Sequence, residues 1–208
     1  MENTGCSCEM TLSAPLILAS ASPRRRELLE LLGLPFSVIP PRIDEDGEGS
    51  TDPAKYVLAL SAAKARTVAK NHTDSLVLGA DTIVVIDGLI LGKPQDRREA
   101  IEMLSRLSGR RHEVFTGFSI CFNRTGFEYS EAVRSVVEFH ALTEAEIAWY
   151  TATCEPYDKA GAYALQGKGA LFVKEIEGSY TNVIGLPLRE VIECLRRENY
   201  LTFSQKCR

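Results

Sequence analysis

Residues 20–26 have the sequence SASPRRR, which places hydroxyl and guanidinium groups at a predicted strand-to-helix junction. The apolar run at 16–19 predicts a buried strand, after which Ser22 can cap a helix that begins at Pro23. Such a helix start attracts anions, and arginines bind phosphate oxygens through paired hydrogen bonds. The candidate phosphate ligands are Ser20, Ser22, Arg24 and Arg25. A capped helix with a solvated basic turn explains the same segment without a ligand.

A carboxylate, Asp81, lies within the strand-forming run at 77–84, VLGADTIV. Burying an unpaired charge is expensive, so Asp81 needs a cation, a metal ion or hydrogen bonds from backbone amides. Glu45, in the acidic loop at 44–48, is a second candidate carboxylate. Asp81 and Glu45 are therefore the candidate metal ligands, although Glu45 alone is equally explained as a surface acid.

Two lysines are candidates for binding a substrate phosphate. Lys64 lies on a helical face that otherwise carries Val57, Leu60 and Val68, and Lys93 follows a predicted strand in the segment GKP. Lys64 alone would be explained by a packed aliphatic stem that ends in an exposed ammonium group. Lys93 alone would be explained as a solvated loop residue. Together with the arginines and carboxylates they complete a set suited to phosphoryl chemistry, in which cations neutralise phosphate charge and a carboxylate activates water.

The pattern of apolar and turn residues predicts a mixed α/β fold with antiparallel hairpins among helical connections. Further helices are expected after the caps at Asp52, Asp96 and Thr143, and from Pro187. Strands are expected at 16–19, 36–39, 76–86, 89–91, 113–122, 127–139 and 171–176, with turns at 87–88 and 178–181. Residues 156–169 are expected to form a functional loop or a broken helix, residues 1–14 a flexible tail, 15–203 one domain and 204–208 a second tail.

Composition limits the class of protein. The 208 residues carry a net charge of -4, which disfavours a groove for polymeric nucleic acid but allows a small phosphorylated ligand. The 6 cysteines are irregularly spaced and predict reduced thiols in a cytoplasmic protein. No apolar run reaches the roughly 20 residues of a membrane span. The sequence contains no GxxxxGK[ST], HExxH or GxSxG motif.

Five segments, taken in order, resemble motifs of the Maf family of nucleotide pyrophosphatases. They are LASASPRR at 18–25, GADTIV at 79–84, GKP at 92–94, DKAGAY at 158–163 with QG at 166–167, and GLPL at 185–188. The resemblance implies an elongated mixed sheet in two lobes around a central cleft, as in inosine triphosphate pyrophosphatases, with a Maf-like catalytic domain over 15–203. It further implies hydrolysis between the α and β phosphates, assisted by Mg²⁺ or Mn²⁺.

The resemblance also assigns roles by position. Asp81 matches the proton acceptor and Glu45 a metal-binding or catalytic carboxylate; the phosphate-facing positions are Ser20, Arg25, Lys64 and Lys93, of which Lys93 also counts as catalytic. Positions linked to substrate choice are Arg24, Thr82 and Gln166, and the last two are similar to the branch acting on dTTP and UTP. The residues at 164–165, Ala-Leu, stand where Gly-Ile is common.

The expected partner is a small nucleotide, with no nucleic acid polymer and no membrane, and a homodimer is left open. A Gln166 amide can complement uracil or thymine, but the flipped amide complements cytosine, so Thr82 or a loop backbone group must fix its orientation. The alternative function is a non-catalytic nucleotide-sensing regulator of cell division, since the family is associated with arrested septum formation. The carboxylates and lysines disfavour that alternative, because a pure binding protein does not need to activate water.

Overall fold

The computed structural model describes residues 7–43 and 51–206. Their strands are β1 (Ser7–Leu12), β2 (Leu16–Ala19), β3 (Phe36–Val38), β4 (Leu76–Ile86), β5 (Leu89–Leu91), β6 (Arg111–Phe122), β7 (Phe127–Phe139), β8 (Val173–Glu177) and β9 (Leu201–Lys206). Their helices are α1 (Pro23–Glu30), α2 (Pro53–Ala69), α3 (Arg97–Leu107), α4 (Glu144–Thr151), α5 (Tyr180–Ile184) and α6 (Leu188–Arg197). Short 3₁₀ turns occupy Glu155–Asp158, Ala160–Ala162 and Lys168–Phe172.

The main sheet mixes parallel and antiparallel pairs. Its 7 strands run in the order β3-β2-β4-β6-β7-β8, with β5 also paired to β4. The pairs β2–β3 and β2–β4 are parallel, and the others in this sheet are antiparallel. The predicted mixed α/β class is confirmed.

Local sequence signals set most helix starts. The Asp52 carboxylate accepts hydrogen bonds from the first turn of α2, and Asp96 does the same for α3. Thr143 and Glu146 form the predicted capping box of α4. These caps satisfy N–H groups that a helix cannot bond internally, which is why a short polar residue is informative at these positions.

Two hydrophobic clusters divide the molecule into lobes. The first packs α1 and α6 against the sheet and includes Leu78 and Ala80 of β4. The second packs α3 and α4 against the sheet and includes Val84 and Ile86 of the same strand. Strand β4 therefore runs from one lobe into the other, and its middle lies between the two cores.

Helix α2 crosses the sheet at two glycines that leave no room for a side chain. A Cβ atom on Gly79 would lie 2.5 Å from the carbonyl oxygen of Ser61, and one on Gly117 would overlap the carbonyl of Val57. The register places Asp81 of β4 opposite Gly117 of β6. Because side chains alternate along a strand, Asp81 projects from the same face as Gly79, toward α2.

The terminal segments differ from the predicted tails. Strand β1 pairs antiparallel with β9 in a separate sheet of 2 strands, so residues 7–12 and 201–206 hold each other. Met10 and Leu12 alternate toward the first hydrophobic cluster, where both are partly buried. The tail prediction rested on the polar composition of residues 1–14 and did not use the alternation of apolar residues at Met10 and Leu12, which is typical of a strand.

Another difference concerns residues 178–181, which were expected to form a turn only. The hydroxyl of Ser179 caps α5 and accepts a hydrogen bond from Asn182 N. By contrast, the short 3₁₀ turns in residues 156–169 agree with the broken helix expected there. None of the helices in residues 7–43 and 51–206 is long and apolar enough to cross a membrane.

We expect Gly79→Ala to lower the free energy of unfolding by about 2 kcal/mol, because the new methyl group meets helix backbone that cannot move aside cheaply. Urea denaturation measures this loss. Gly92→Ala is the matched control, since a Cβ atom on Gly92 would have no neighbouring atom within 4 Å. Equal unfolding midpoints for the two variants would contradict the close approach of α2.

Candidate active site

The predicted site residues lie around one cleft of about 610 Å³ between the two lobes. It is lined by Ser20, Ser22, Arg24, Arg25, Lys64, Asp81, Thr82, Lys93 and Gln166. Glu45, predicted as a metal ligand and catalytic carboxylate, lies outside the described residues. Residues far apart in sequence therefore face one space, while the role of each stays a prediction.

The cleft lies where one edge of β4 loses its neighbouring strands. Because β6 occupies the other edge of β4, β2 and β5 must share this one. Pairing with β2 ends at Gly79 and pairing with β5 begins at Val84. Between these positions, no described strand covers that edge. Asp81 and Thr82 stand in the resulting gap.

The chain segments that leave β2 and β5 both enter this gap. The β2 strand runs parallel to β4 and ends at Ala19, so Ser20 follows beside the open edge. The β5 strand runs antiparallel and ends at Leu91, so Lys93 approaches from the opposite end. A hydroxyl group and a lysine thus reach one opening from its two sides.

A buried ion pair lies at the centre of the cleft. Lys64 Nζ donates to Asp81 Oδ1 at 2.7 Å, and these residues are only 5% and 9% exposed. The predicted need of Asp81 for a cation is therefore met by Lys64, whose ammonium group does not extend into bulk solvent. The cost of burying each charge is offset by the other, so removing one partner alone should be destabilising.

The start of α1 differs in detail from the predicted cap. Ser22 occupies the N-cap position, but its side chain makes no capping hydrogen bond. Instead, the Ser22 backbone N–H donates to Ser20 Oγ at 3.2 Å. The Pro23 prediction is confirmed, since this residue begins the helix. The N-terminus of α1 therefore faces the cleft without a carboxylate or hydroxyl cap of its own.

Arg25 is held by protein acceptors on three sides. Its guanidinium donates to the Gly185 carbonyl at 2.8 Å, to Ser20 Oγ at 3.3 Å and to Thr82 Oγ1 at 3.1 Å. These bonds tie the segment after β2 to β4 and to the end of α5. Arg25 therefore holds these three segments together, in addition to supplying positive charge to the cleft.

The Thr82 hydroxyl has a direction set by its neighbours. Thr116 donates its proton to the Asn182 carbonyl at 2.9 Å. Thr82 is therefore the donor in the 2.9 Å hydrogen bond between the two threonine hydroxyls. Alternatively, Thr82 donates to the Gly185 carbonyl at 3.5 Å. In both arrangements, Thr82 accepts a hydrogen bond from Arg25.

An exposed ion pair joins the lobes across the cleft. Arg24 donates to Asp158 at 3.1 Å, and Lys159 donates to the same carboxylate. Burial raises the pKa of Asp158, but hydrogen bonds from Lys159 and Arg24 outweigh burial and hold the pKa below its usual value. Exposed pairs contribute little to stability, so a phosphate group can replace Asp158 as the partner of Arg24 at small cost.

Tyr56 and Lys159 are among the cleft residues that the sequence analysis missed. Tyr56 lies two turns before Lys64 on the same face of α2, and a helical period starting from Lys64 would have found it. Lys159 stands within the DKAGAY segment, and its Nζ also donates to the Glu155 carbonyl at 2.7 Å. Both side chains add polar groups to the cleft wall.

His112 is not among the residues that line the cleft. His112 is buried, and its Nε2 bonds to the Tyr163 hydroxyl at 2.9 Å. Burial lowers the pKa of His112 to about 4, so it is neutral near pH 7. That environment suits a structural residue of the second hydrophobic cluster.

The donor set of the cleft fits a metal ion that is shared with substrate. In the described part of the chain, no group of three or more His, Cys, Asp or Glu side chains could hold a metal by itself. Asp81 presents a carboxylate in the cleft. Mg²⁺ commonly takes one or two carboxylates and completes its shell with water and substrate phosphates.

We expect the destabilisation caused by Lys64→Met and that caused by Asp81→Asn to add up to more than the destabilisation of the double variant. Each single change leaves the other buried polar group in an altered environment, whereas the double change removes both charges. The double-mutant cycle, measured by urea denaturation, should give a coupling energy of about 1 to 3 kcal/mol. Additive effects would contradict the ion pair.

Two comparisons relate this chain to known proteins by sequence. It is 55% identical over 193 residues to the dTTP/UTP pyrophosphatase of Syntrophus aciditrophicus, covering 93% of this chain and 94% of the relative. It is also 55% identical over 180 residues to the dTTP/UTP pyrophosphatase of Moorella thermoacetica, covering 86% and 93%.

Comparison with solved structures gives a partial overlap. The alignment with the Staphylococcus aureus Ham1 protein covers 60% of this chain and 71% of the Ham1 chain, with 15% sequence identity and a TM-score of 0.43. The sequence pattern of the family described as Maf-like protein matches residues 15–198. By this match and by its identity to the curated relatives, the chain belongs to the family of Maf-like proteins.

Proposed function

We propose that this chain hydrolyses nucleoside triphosphates between the α and β phosphates, releasing a monophosphate and pyrophosphate, with dTTP and UTP preferred. The observation that carries the proposal is the buried Lys64–Asp81 pair in a cleft surrounded by cations. The 55% identity to dTTP/UTP pyrophosphatases supports the choice of substrate.

The cations of the cleft come from two parts of the chain that meet at Asp158, to which Arg24 and Lys159 both donate. Arg24 and Arg25 lie at the start of α1, and Lys93 and Lys159 lie in the segments after β5 and before the 3₁₀ turns at 160–162. A triphosphate in the cleft could contact both groups. Charge-assisted bonds from both groups would orient the α phosphorus and bind the departing pyrophosphate.

Asp81 is the proton acceptor in this proposal. Lys64 donates to Oδ1 and so fixes the plane of the carboxylate. Held in this way, Asp81 can accept a proton from a water molecule as that water attacks the α phosphorus. A positioned general base of this kind contributes about 10² to 10⁴ in rate.

A divalent cation, Mg²⁺ or Mn²⁺, is the proposed cofactor, with Asp81 and Glu45 as the residues that would hold it. When bound, such an ion polarises phosphate oxygens and stabilises the charge that develops on them. The substrate phosphates would complete its coordination together with water.

Base choice is assigned to Gln166, an exposed residue on the wall of the cleft. Its amide can pair with O4 and N3–H of uracil or thymine. Thr82 was one candidate for fixing the amide, but its hydroxyl bonds to Arg25 and Thr116. The backbone of the loop that carries Gln166 is therefore the better candidate for fixing its orientation.

The reaction is proposed to take place in the cytoplasm. Cys121, Cys154 and Cys194 are free thiols in the structure. Free thiols persist in reducing compartments, where nucleotide pools are also handled.

We expect UTP incubated with the protein and Mg²⁺ or Mn²⁺ to give UMP and pyrophosphate in equal amounts, because the cleft cations would hold the leaving β and γ phosphates. Ion-exchange chromatography separates these products from UDP and orthophosphate. Asp81→Asn should lower kcat by about 10² to 10⁴, the range of a lost general base, and EDTA should stop turnover. UDP as the first product would refute the proposed bond cleavage.

We expect Gln166→Ala to narrow the ratio of kcat/KM for UTP over CTP rather than to lower both values equally. A side chain that hydrogen-bonds the base favours the reaction of UTP and disfavours that of CTP, so its loss should reduce the ratio of kcat/KM by about tenfold. The ratio is measured for wild type and variant under the same conditions. A uniform fall would place Gln166 at the phosphates instead.

A further inference from the structure

A carboxylate and a phenol outside the cleft hold the backbone of the loop that carries Gln166. Glu155 Oε1 accepts a hydrogen bond from Gly169 N at 3.1 Å, and its Oε2 accepts one from Lys168 N at 3.1 Å. Tyr150 Oη donates to Glu155 Oε1 at 2.9 Å and accepts from Ala164 N at 3.1 Å. Both ends of the loop at 164–169 are thus bound to one Glu155–Tyr150 pair.

Gly167 shows how closely the carboxylate approaches the loop. A Cβ atom at this position would lie 2.6 Å from Glu155 Cδ, a distance that no real side chain tolerates. A side chain on the residue next to Gln166 would therefore displace the Glu155 carboxylate from the amides that it binds. The loop backbone and the carboxylate fit each other directly.

The pair is anchored in the second hydrophobic cluster through Tyr150. Tyr150 is fully buried in the second hydrophobic cluster, and its ring packs against Phe172 with centroids 4.9 Å apart. Burial raises the pKa of Glu155, but hydrogen bonds from Gly169, Lys168 and Tyr150 outweigh burial and hold the pKa below its usual value. Glu155 is therefore ionised near pH 7, and each of its bonds to the loop is charge-assisted.

We infer that Glu155 and Tyr150 are positioning residues that set base discrimination by fixing the backbone on both sides of Gln166. This inference rests on the proposed function, since discrimination is defined by the nucleotide that is hydrolysed. The Gln166 amide can pair with a base only where the loop backbone places it, so the precision of that pairing depends on how firmly the backbone is held. The Glu155–Tyr150 pair holds that backbone from outside the cleft, without touching the substrate.

Three variants test the inference. Glu155→Gln keeps the shape but places an amide group where an acceptor is needed, Glu155→Ala removes all the acceptors, and Tyr150→Phe removes the hydroxyl while keeping the buried ring. Glu144→Gln, on the exposed surface of α4, is the matched control for charge. Tyr157→Phe is the control for a phenol, because Tyr157 Oη bonds to the Thr151 carbonyl and not to the loop.

The first measurement is the ratio of kcat/KM for UTP over CTP. We expect the ratio to fall by about tenfold in Tyr150→Phe and Glu155→Ala, the effect of one misplaced hydrogen bond, and by less in Glu155→Gln. In a Gln166→Ala background, the same changes should leave the ratio where it already stands. A merely structural role would lower both substrates together, and that result would overturn the inference, as would an additive effect on the ratio.

The second measurement needs no substrate. Amide hydrogen exchange followed by NMR should become faster at Lys168 and Gly169 in Glu155→Ala, and at Ala164 in Tyr150→Phe, while amides of β6 stay protected. Unchanged exchange in the loop would overturn the inference even if activity fell. If wild type releases no pyrophosphate from UTP, the proposed function fails, and the exchange data still decide whether the pair restrains the loop.

Discussion

The close approach of α2 to the sheet is the constraint on which the site depends. Glycines at 79 and 117 let helix backbone lie directly on β4 and β6, where any side chain would collide with it. The face of β4 that meets the helix also carries Asp81, and the helix brings Lys64 to it at 2.7 Å. Dense packing at this contact fixes the distance between the two charges, because a packed interior cannot adjust continuously.

The second constraint is the interruption along one edge of β4. Two lobes share this strand, and the strands that cover its edge in each lobe stop short of its middle. The uncovered stretch leaves room for the cleft beside the strand. Asp81 and Thr82, which interrupt the apolar sequence, both line that cleft, and Asp81 does so while remaining only 9% exposed.

The lobes are joined above this gap mainly by polar contacts. Arg25 connects the start of α1 to Gly185, and Arg24 reaches Asp158 on the opposite wall. Glu155 then links that wall to the loop carrying Gln166 through the Lys168 and Gly169 amides. The residues proposed to bind phosphate and the loop proposed to contact the base are therefore linked through this wall, because Lys159 Nζ donates to both the Asp158 carboxylate and the Glu155 carbonyl.

Much of the local structure followed from short-range signals. The caps at Asp52, Asp96 and Thr143 and the hairpin at 87–88 depend on residues a few positions apart, so the sequence alone predicted them. The pairing of β1 with β9 was missed because its two strands lie at opposite ends of the chain. Ser22 occupies the predicted N-cap position of α1, but whether its hydroxyl completes the cap depends on its rotamer, which residue type does not fix.

Residue types and family motifs also identified the candidate site residues, including Lys64, Asp81 and Gln166, from the sequence alone. Only the tertiary structure decided which of them touch. The sequence required a cation or another partner for Asp81, but it could not choose among the lysines and arginines, since that choice depends on where α2 crosses the sheet. It also contained no sign that Glu155 reaches past Gly167 to the loop amides. Contacts between distant segments are set by packing geometry, which no single stretch of sequence contains.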